Sequence, residues 1–159
     1  MIDTKKIRIV IHPHPALRKA SERVTEINDD IKAIAARMIV LVKQMKGAGL
    51  AANQVGLPHA MFVTILDEED EVYINPFLET SGPIEYLEEG CLSLPGKRVM
   101  VPRPKRAKIT YQNLEGQTIT KESDELLGRC WQHECEHLAG KMITDHQSST
   151  MGGMRRIRQ

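Results

Sequence analysis

The segment WQHECEHLAG, from Trp131 to Gly140, limits the fold of this 159-residue chain more than any other stretch. It has the pattern of a buried helix, yet it sets two histidines and two glutamates where Leu or Ile would be ordinary. Polar groups persist inside a protein only when they are hydrogen-bonded, paired or bound to a metal. His133 and His137 are four residues apart, so a helix places them on one face, a turn from each other. Two imidazoles so placed can converge on one cation. Glu134 lies ~100° around the axis from His133, beside the pair. This is the HExxH arrangement, two ligands with an adjacent general base. The plainer alternative is a pair of core histidines with hydrogen-bond partners.

A catalytic centre of this kind needs a third protein ligand. Downstream, HECEHLAGKMI has Gly140 but puts Ile143 where an HExxHxxGxxH pattern has its last histidine, and no Glu follows Glu136. Asp145 and His146 remain as weak candidates. Cys135 is ~200° from His133 and points to the opposite side of the helix. Cys130 is on a suitable face but about 10.5 Å along the axis from His137, and reads as a small buried hydrophobe beside the site. Cys91 is left, in EEGCLSLPG, where glycine and proline indicate a turn or distorted strand. Its alternative fate is a buried free thiol. A thiolate with two neutral imidazoles suits Zn²⁺ or Fe²⁺ and leaves a fourth position open.

The rest of the chain frames this helix. KIRIVIHPHP reads as a short strand. Asn28, Asp29 or Asp30 can cap a helix whose Ile31, Ile34, Met38, Leu41, Val42 and Met45 recur at helical spacing, with Gly47 and Gly49 ending it. AMFVTIL, EVYINPFLE, RVMVPRP, AKITYQN and QTITKES read as strands, with the DEEDE run as a solvated turn and NLEG as another. The charged patch Lys97, Arg98, Arg103, Lys105, Arg106 and Lys108 reads as a wet strand face. Strand, helix, many strands, helix is an α+β order. The expected architecture is antiparallel strands packed around a central helix carrying HExxH, with a second, N-terminal helix. Residues 1–147 are expected to form one catalytic domain and 148–159 a short, basic, mobile tail. A net charge of +1 and 4% aromatic residues argue against a DNA or base-stacking surface. The apolar runs are too short for a membrane helix. Three cysteines without a signal-peptide layout point to free thiols and a cytoplasmic setting.

GAGLAANQ, EGCLS and QHECEHL, in that order, resemble the three motifs of the peptide deformylase family, GxGLAAxQ, EGCLS and HExDHL. The resemblance extends over nearly the whole chain. It implies a hydrolase that removes the formyl group from the initiator methionine of nascent polypeptides and holds one divalent metal, Fe²⁺ in the cell, replaceable by Zn²⁺, Ni²⁺ or Co²⁺. By motif, Cys91, His133 and His137 would be the ligands and Glu134 the general acid/base. Gln54 and the Leu92 backbone N–H would hold the formyl oxygen. Gly49 and Leu50 would pair with the substrate main chain, and Leu126 and Cys130 would line the methionine side-chain pocket. The partners implied are N-formylmethionyl nascent peptides. Separately, the positive charge of Arg155, Arg156 and Arg158 makes the tail a candidate contact to the ribosome near its exit tunnel, with a disordered charged end as the plainer alternative. Glu136 stands where the family has Asp. Arg129 replaces an apolar residue near the side-chain pocket, and Lys46 replaces an acid before the glycine loop, which puts substrate preference in question. The alternatives are a zinc-dependent peptidase and a non-catalytic, metal-stabilised peptide-binding module.

Overall fold

Asn28 starts the first long helix, α1 (Asp29–Gln44), by accepting the backbone N–H of Ile31 on its side-chain oxygen at 3.0 Å. Asp29 and Asp30 follow in the first turn, at the positive end of the helix dipole. The buried stripe is Ile31, Ile34, Ala35, Met38, Leu41 and Val42. Met45 lies past the last turn and is exposed. The helix closes with Lys46 in the left-handed region at φ 57°. The Gly47 N–H returns to the Val42 carbonyl at 3.0 Å and the Lys46 N–H to the Lys43 carbonyl at 3.1 Å, the two bonds of a Schellman cap. The structure is a computed structural model that describes residues 2–152, with side chains through Gln147. Arg155, Arg156 and Arg158 lie outside the described residues.

Among the described residues five antiparallel strands form one sheet in chain order: β1 (Gly49–Ala51), β2 (Met61–Thr64), β3 (Glu71–Cys91), β4 (Leu94–Gln112) and β5 (Thr118–Ser123). The α+β expectation of antiparallel strands with a few helices therefore holds. RVMVPRP and AKITYQN, expected as separate strands, are one continuous β4. Strand β5 covers only Ala107 to Gln112, so around Pro102 and Pro104 β4 is a sheet edge. Edges tolerate the missing proline N–H. KIRIVI does not join the sheet. Thr4–Lys6 is a 3-10 turn, and beyond it Val10 N–H bonds the Gln54 carbonyl at 2.7 Å and His12 N–H the Ser93 carbonyl at 2.9 Å. Two turns offer single acceptors there, not a strand edge, so no ladder forms.

The sheet lies between two helices. One face of β1 and β2, with Leu50, Met61 and Val63, packs on α1 together with Val72 and Ile74 of β3. The other face, with Ala51, Phe62 and Tyr73, packs on Trp131 and Leu138 of α2 (Leu126–Leu138). Burial on both faces explains why all four residues of β2 are inaccessible. Tyr73 hydroxyl accepts Trp131 Nε1–H at 2.9 Å and is 2.9 Å from Thr64 Oγ1, so the polar tips inside this layer are satisfied. Ser123 Oγ accepts the N–H groups of Glu125 and Gly128 ahead of α2, and Gly140, at φ 79°, ends it. Helix α3 (Ile143–Gly152) follows.

Met38 is completely buried in the α1 layer. Met38→Ala is expected to lower stability by about 2–5 kcal/mol through lost burial and a residual cavity. Urea unfolding should show a lower midpoint with an unchanged slope.

Candidate metal centre

Strand β3 ends in a tight turn, with Cys91 paired to Leu94 and Leu92 and Ser93 at its corners. That turn meets the face of α2 carrying the two histidines. Cys91 Sγ lies 3.3 Å from His137 Nε2. The donor atoms of Cys91, His133 and His137 all fall within 4.8 Å of one another. A tetrahedral ion at ordinary M–S and M–N distances holds such donors about 3.5 Å apart, so one divalent cation fits the cluster. The other sequence candidates go elsewhere. His146 Nε2 bonds Glu136 at 2.9 Å, Asp145 pairs with Arg18 at 2.8 Å, and Cys135 packs beside the aromatic layer.

A buried carboxylate sets the first imidazole. Glu89 Oε1 is 2.9 Å from His133 Nδ1, which turns Nε2 of that ring toward Cys91. Arg103, itself 2% exposed, grips Glu89 with Nε at 2.7 Å and Nη2 at 2.9 Å, and its Nη1 reaches Glu136 at 3.1 Å. Burial would raise the Glu89 pKa, but His133 and Arg103 hold it well below the usual carboxylate range. Burial likewise opposes ionisation of Glu136, and His146 and Arg103 outweigh it. Arg103 is therefore no part of a wet face. Neither Glu89 nor Arg103 was a sequence candidate. The available signal was the glutamate inside EGCLS, the motif that also holds Cys91 and Leu92.

The imidazoles differ in charge preference. Burial lowers the His133 pKa, but Cys91, Glu89 and Glu134 raise it to about 10. The pocket between the thiol and Glu89 thus favours a positive charge, either a proton or a metal. His137 is held well below its ordinary value by burial and by the positive charges of His133, Arg103 and Arg18. It stays neutral, with a ring nitrogen free to donate to a cation. Asn53 Nδ2 donates to the His137 carbonyl, which ties the end of α2 to the loop after β1.

Glu134 is 4% exposed and its Oε1 has no hydrogen-bond partner. Burial pushes its pKa up to about 7, against the positive charges of His133 and Arg103. It packs on Gly49: a Cβ there would sit 2.9 Å from Glu134 Oε2 and 2.9 Å from Cys130 Sγ. Gln54 is buried in the 3-10 turn after β1. Its Oε1 accepts the Ala51 N–H at 2.9 Å, which leaves Nε2 facing Ser93 Oγ at 3.2 Å and Cys91 Sγ at 3.5 Å. A cavity of about 230 Å³ adjoins the cluster, with Gly49, Gln54, Leu92, Leu126, Cys130 and Glu134 on its walls. Leu126 stands at its mouth, largely exposed. Leu50 is completely buried in the core, main chain included, and is not on the cavity wall. Arg129 also lines the cavity. Its guanidinium is held by the carbonyls of Glu85, Leu87 and Val101, with Nε 2.7 Å from Glu89 but out of hydrogen-bond alignment.

The family model described as polypeptide deformylase matches residues 6–151. The peptide deformylase of Bartonella henselae is 40% identical over 146 residues, covering 88% of this chain and 83% of that protein. That of Phenylobacterium zucineum is 36% identical over 146 residues, covering 88% and 86%. Among solved structures, the peptide deformylase of Thermotoga maritima superposes with a TM-score of 0.86 at 38% identity, over 88% of this chain and 96% of that one. The Synechococcus elongatus peptide deformylase in complex with actinonin also gives 0.86, at 34% identity, over 88% and 78%.

Glu89→Gln should lower stability at pH 7 by roughly 3–5 kcal/mol, because Arg103 and Arg129 lose their buried counter-charge. The folded-state pKa of Glu89 is depressed. Its stabilisation is therefore complete above the unfolded carboxylate pKa of about 4.3 and is lost as pH falls through the folded value. Urea titrations from pH 7 downward should show the wild-type and variant stabilities converging at acid pH.

Proposed function

This chain belongs to the peptide deformylase family, and from that premise we propose which of its residues carry the reaction. It is a metal-dependent hydrolase that removes the N-formyl group from nascent peptides and releases formate. We assign Cys91, His133 and His137 as the ligands, with α2 as the central scaffold of residues 1–147, a single catalytic domain. The sulfur and two nitrogens suit Fe²⁺, with Zn²⁺, Ni²⁺ or Co²⁺ as substitutes. When bound, the ion supplies a water acidified toward neutral pH and a positive charge beside the formyl oxygen.

Glu134 takes a proton from the attacking water and delivers it to the amine as the C–N bond breaks. Burial raises the pKa of its carboxyl, which suits a group that both accepts and returns a proton. Attack puts negative charge on the formyl oxygen. Gln54 Nε2, held by the Ala51 and Ser93 contacts, and the Leu92 N–H receive that charge. Edge strand β1 offers the main chain of Gly49 to the substrate backbone, while Leu50 anchors the strand in the core. Gly49 allows the close approach because it has no Cβ. The methionine side chain enters the cavity past Leu126 and Cys130. The observation that carries this reading is the convergence of three donor atoms within 4.8 Å beside a buried, unpartnered carboxylate oxygen. N-formylmethionyl chains at the ribosome exit, in the cytoplasm, are the substrates we assign. No helix among the described residues is long and apolar enough to cross a membrane.

The test is formate release from formyl-Met-Ala-Ser under anaerobic conditions. Wild-type protein should turn it over, and Glu134→Ala should retain one metal per chain while losing at least ~10²-fold in kcat. A variant as active as wild type would remove Glu134 from the mechanism and favour a binding module. Gly49→Ala must displace the Glu134 carboxylate or Cys130. A misplacement of that size is expected to cost about 10²-fold in kcat/KM, with metal content unchanged by elemental analysis.

A further inference from the structure

A second hollow of about 400 Å³ adjoins the catalytic cavity, and both are lined by Ala48, Gly90, Cys91 and Leu92. Its walls carry three cations, Lys46, Lys97 and Arg98, and no carboxylate. Lys46 is not on a loose loop. The Schellman cap of α1 holds it at φ 57°, and the Gly47 that follows packs so closely on Leu92 that a Cβ there would lie 2.9 Å from Cδ1. Arg98 lies opposite Gly90 in the β3–β4 ribbon, where a Cβ would be 2.8 Å from its Nη1. Arg98 has an acidic neighbour, Glu88, at 3.3 Å, with both side chains about 60% exposed. Lys46 and Lys97 have no ion pair among the described residues, so two uncompensated positive charges remain at this hollow.

The hollow lies where the substrate chain has to run. Gln54 and the three donor atoms mark the formyl end, beyond the C-terminal end of β1. A peptide aligned on the free edge of β1 extends the other way, past Gly49 toward Ala48 and Lys46. An extended chain advances about 3.3 Å per residue, so the two residues after formylmethionine fall alongside Ala48 to Lys46. We propose that this hollow receives those residues and that Lys46 and Lys97, with Arg98 behind them, select acidic side chains there. The proposal rests on the deformylase reading of the neighbouring centre. Exposed pairs change an equilibrium by only a few-fold each. Two of them predict a five- to tenfold preference for Asp over Lys, fading as the screening length shrinks from about 10 Å at 0.1 M salt to about 3 Å at 1 M.

The experiment uses full-length, metal-loaded protein and C-terminally amidated formyl-Met-Ala-Asp, formyl-Met-Ala-Ser and formyl-Met-Ala-Lys, with a matching set varied at the second residue. At low salt, kcat/KM should rank Asp over Ser over Lys at one or both positions. The ranking should flatten at 1 M salt. In the Lys46→Glu/Lys97→Glu double variant it should invert, a gain for the Lys peptide that misfolding cannot mimic. Equal constants for the three side chains, or an Asp preference that survives in the double variant, would overturn the proposal. Peptide affinities for Glu134→Ala protein, with and without the two lysine changes, give a readout without turnover. If no peptide releases formate, the deformylase reading fails, and the ratio of Asp to Lys affinities alone then decides whether the hollow is an acid-binding groove.

Discussion

A single buried carboxylate holds the functional half of this structure together. Glu89 lies near the end of β3 and receives Arg103 from β4 and His133 from α2, with Arg129 of α2 at its flank. An ionised acid in that position would be costly to bury alone, and its arginines would be equally costly without it. The cluster is thus all-or-none, and it joins the ribbon to the helix at one place. Cys91 follows two residues later. Tethering Glu89 to α2 therefore delivers the sulfur to the same helix face that carries the imidazoles. The carboxylate also decides which nitrogen of His133 faces Cys91.

The remaining polar groups of the site depend on the layer between the helices. Strands β1 and β2 are buried on both faces, with Leu50 and Val63 toward α1 and Ala51 and Phe62 toward α2. That placement puts the loop after β1 directly against α2. Asn53 reaches the His137 carbonyl, and Gln54 turns its amide toward Cys91. The same close packing leaves no room for a Cβ at residue 49 unless Glu134 and Cys130 shift. Core packing and the reaction centre thus share one strand: its side chains build the core and its free main-chain edge borders the cavity.

Charge at the site is sorted by depth. The inner charges are paired: Arg103 bridges Glu89 and Glu136, and Arg129 adds a second positive charge beside Glu89. The outer ones, Lys46 and Lys97, stand exposed at the hollow beside the cavity. Arg129 belongs to the inner group despite its place on the cavity wall, because backbone carbonyls of the ribbon occupy its guanidinium. An arginine can sit where an apolar residue is expected when backbone carbonyls hold its head, as those of Glu85, Leu87 and Val101 do here.

The amino-acid sequence by itself determined what depends on neighbours along the chain. Helix α1 with its Asn28 cap, the i, i+4 histidines, the turn around Cys91 and the antiparallel strands follow from spacing and from turn chemistry, which act over a few residues. The family resemblance was legible for the same reason, being carried by three short motifs. Only the tertiary structure decided that Arg103 is a buried partner of Glu89 and not one more surface cation, that Leu50 faces the core, and that KIRIVI pairs with no strand. It also decided that His146 pairs with Glu136 and stands apart from the Cys91, His133 and His137 cluster. These outcomes turn on which distant segments meet. Charges, thiols and β-branched runs look the same in sequence whether they end against water or against one another, and the desolvation that separates those fates exists only after the sheet, ribbon and helix have packed.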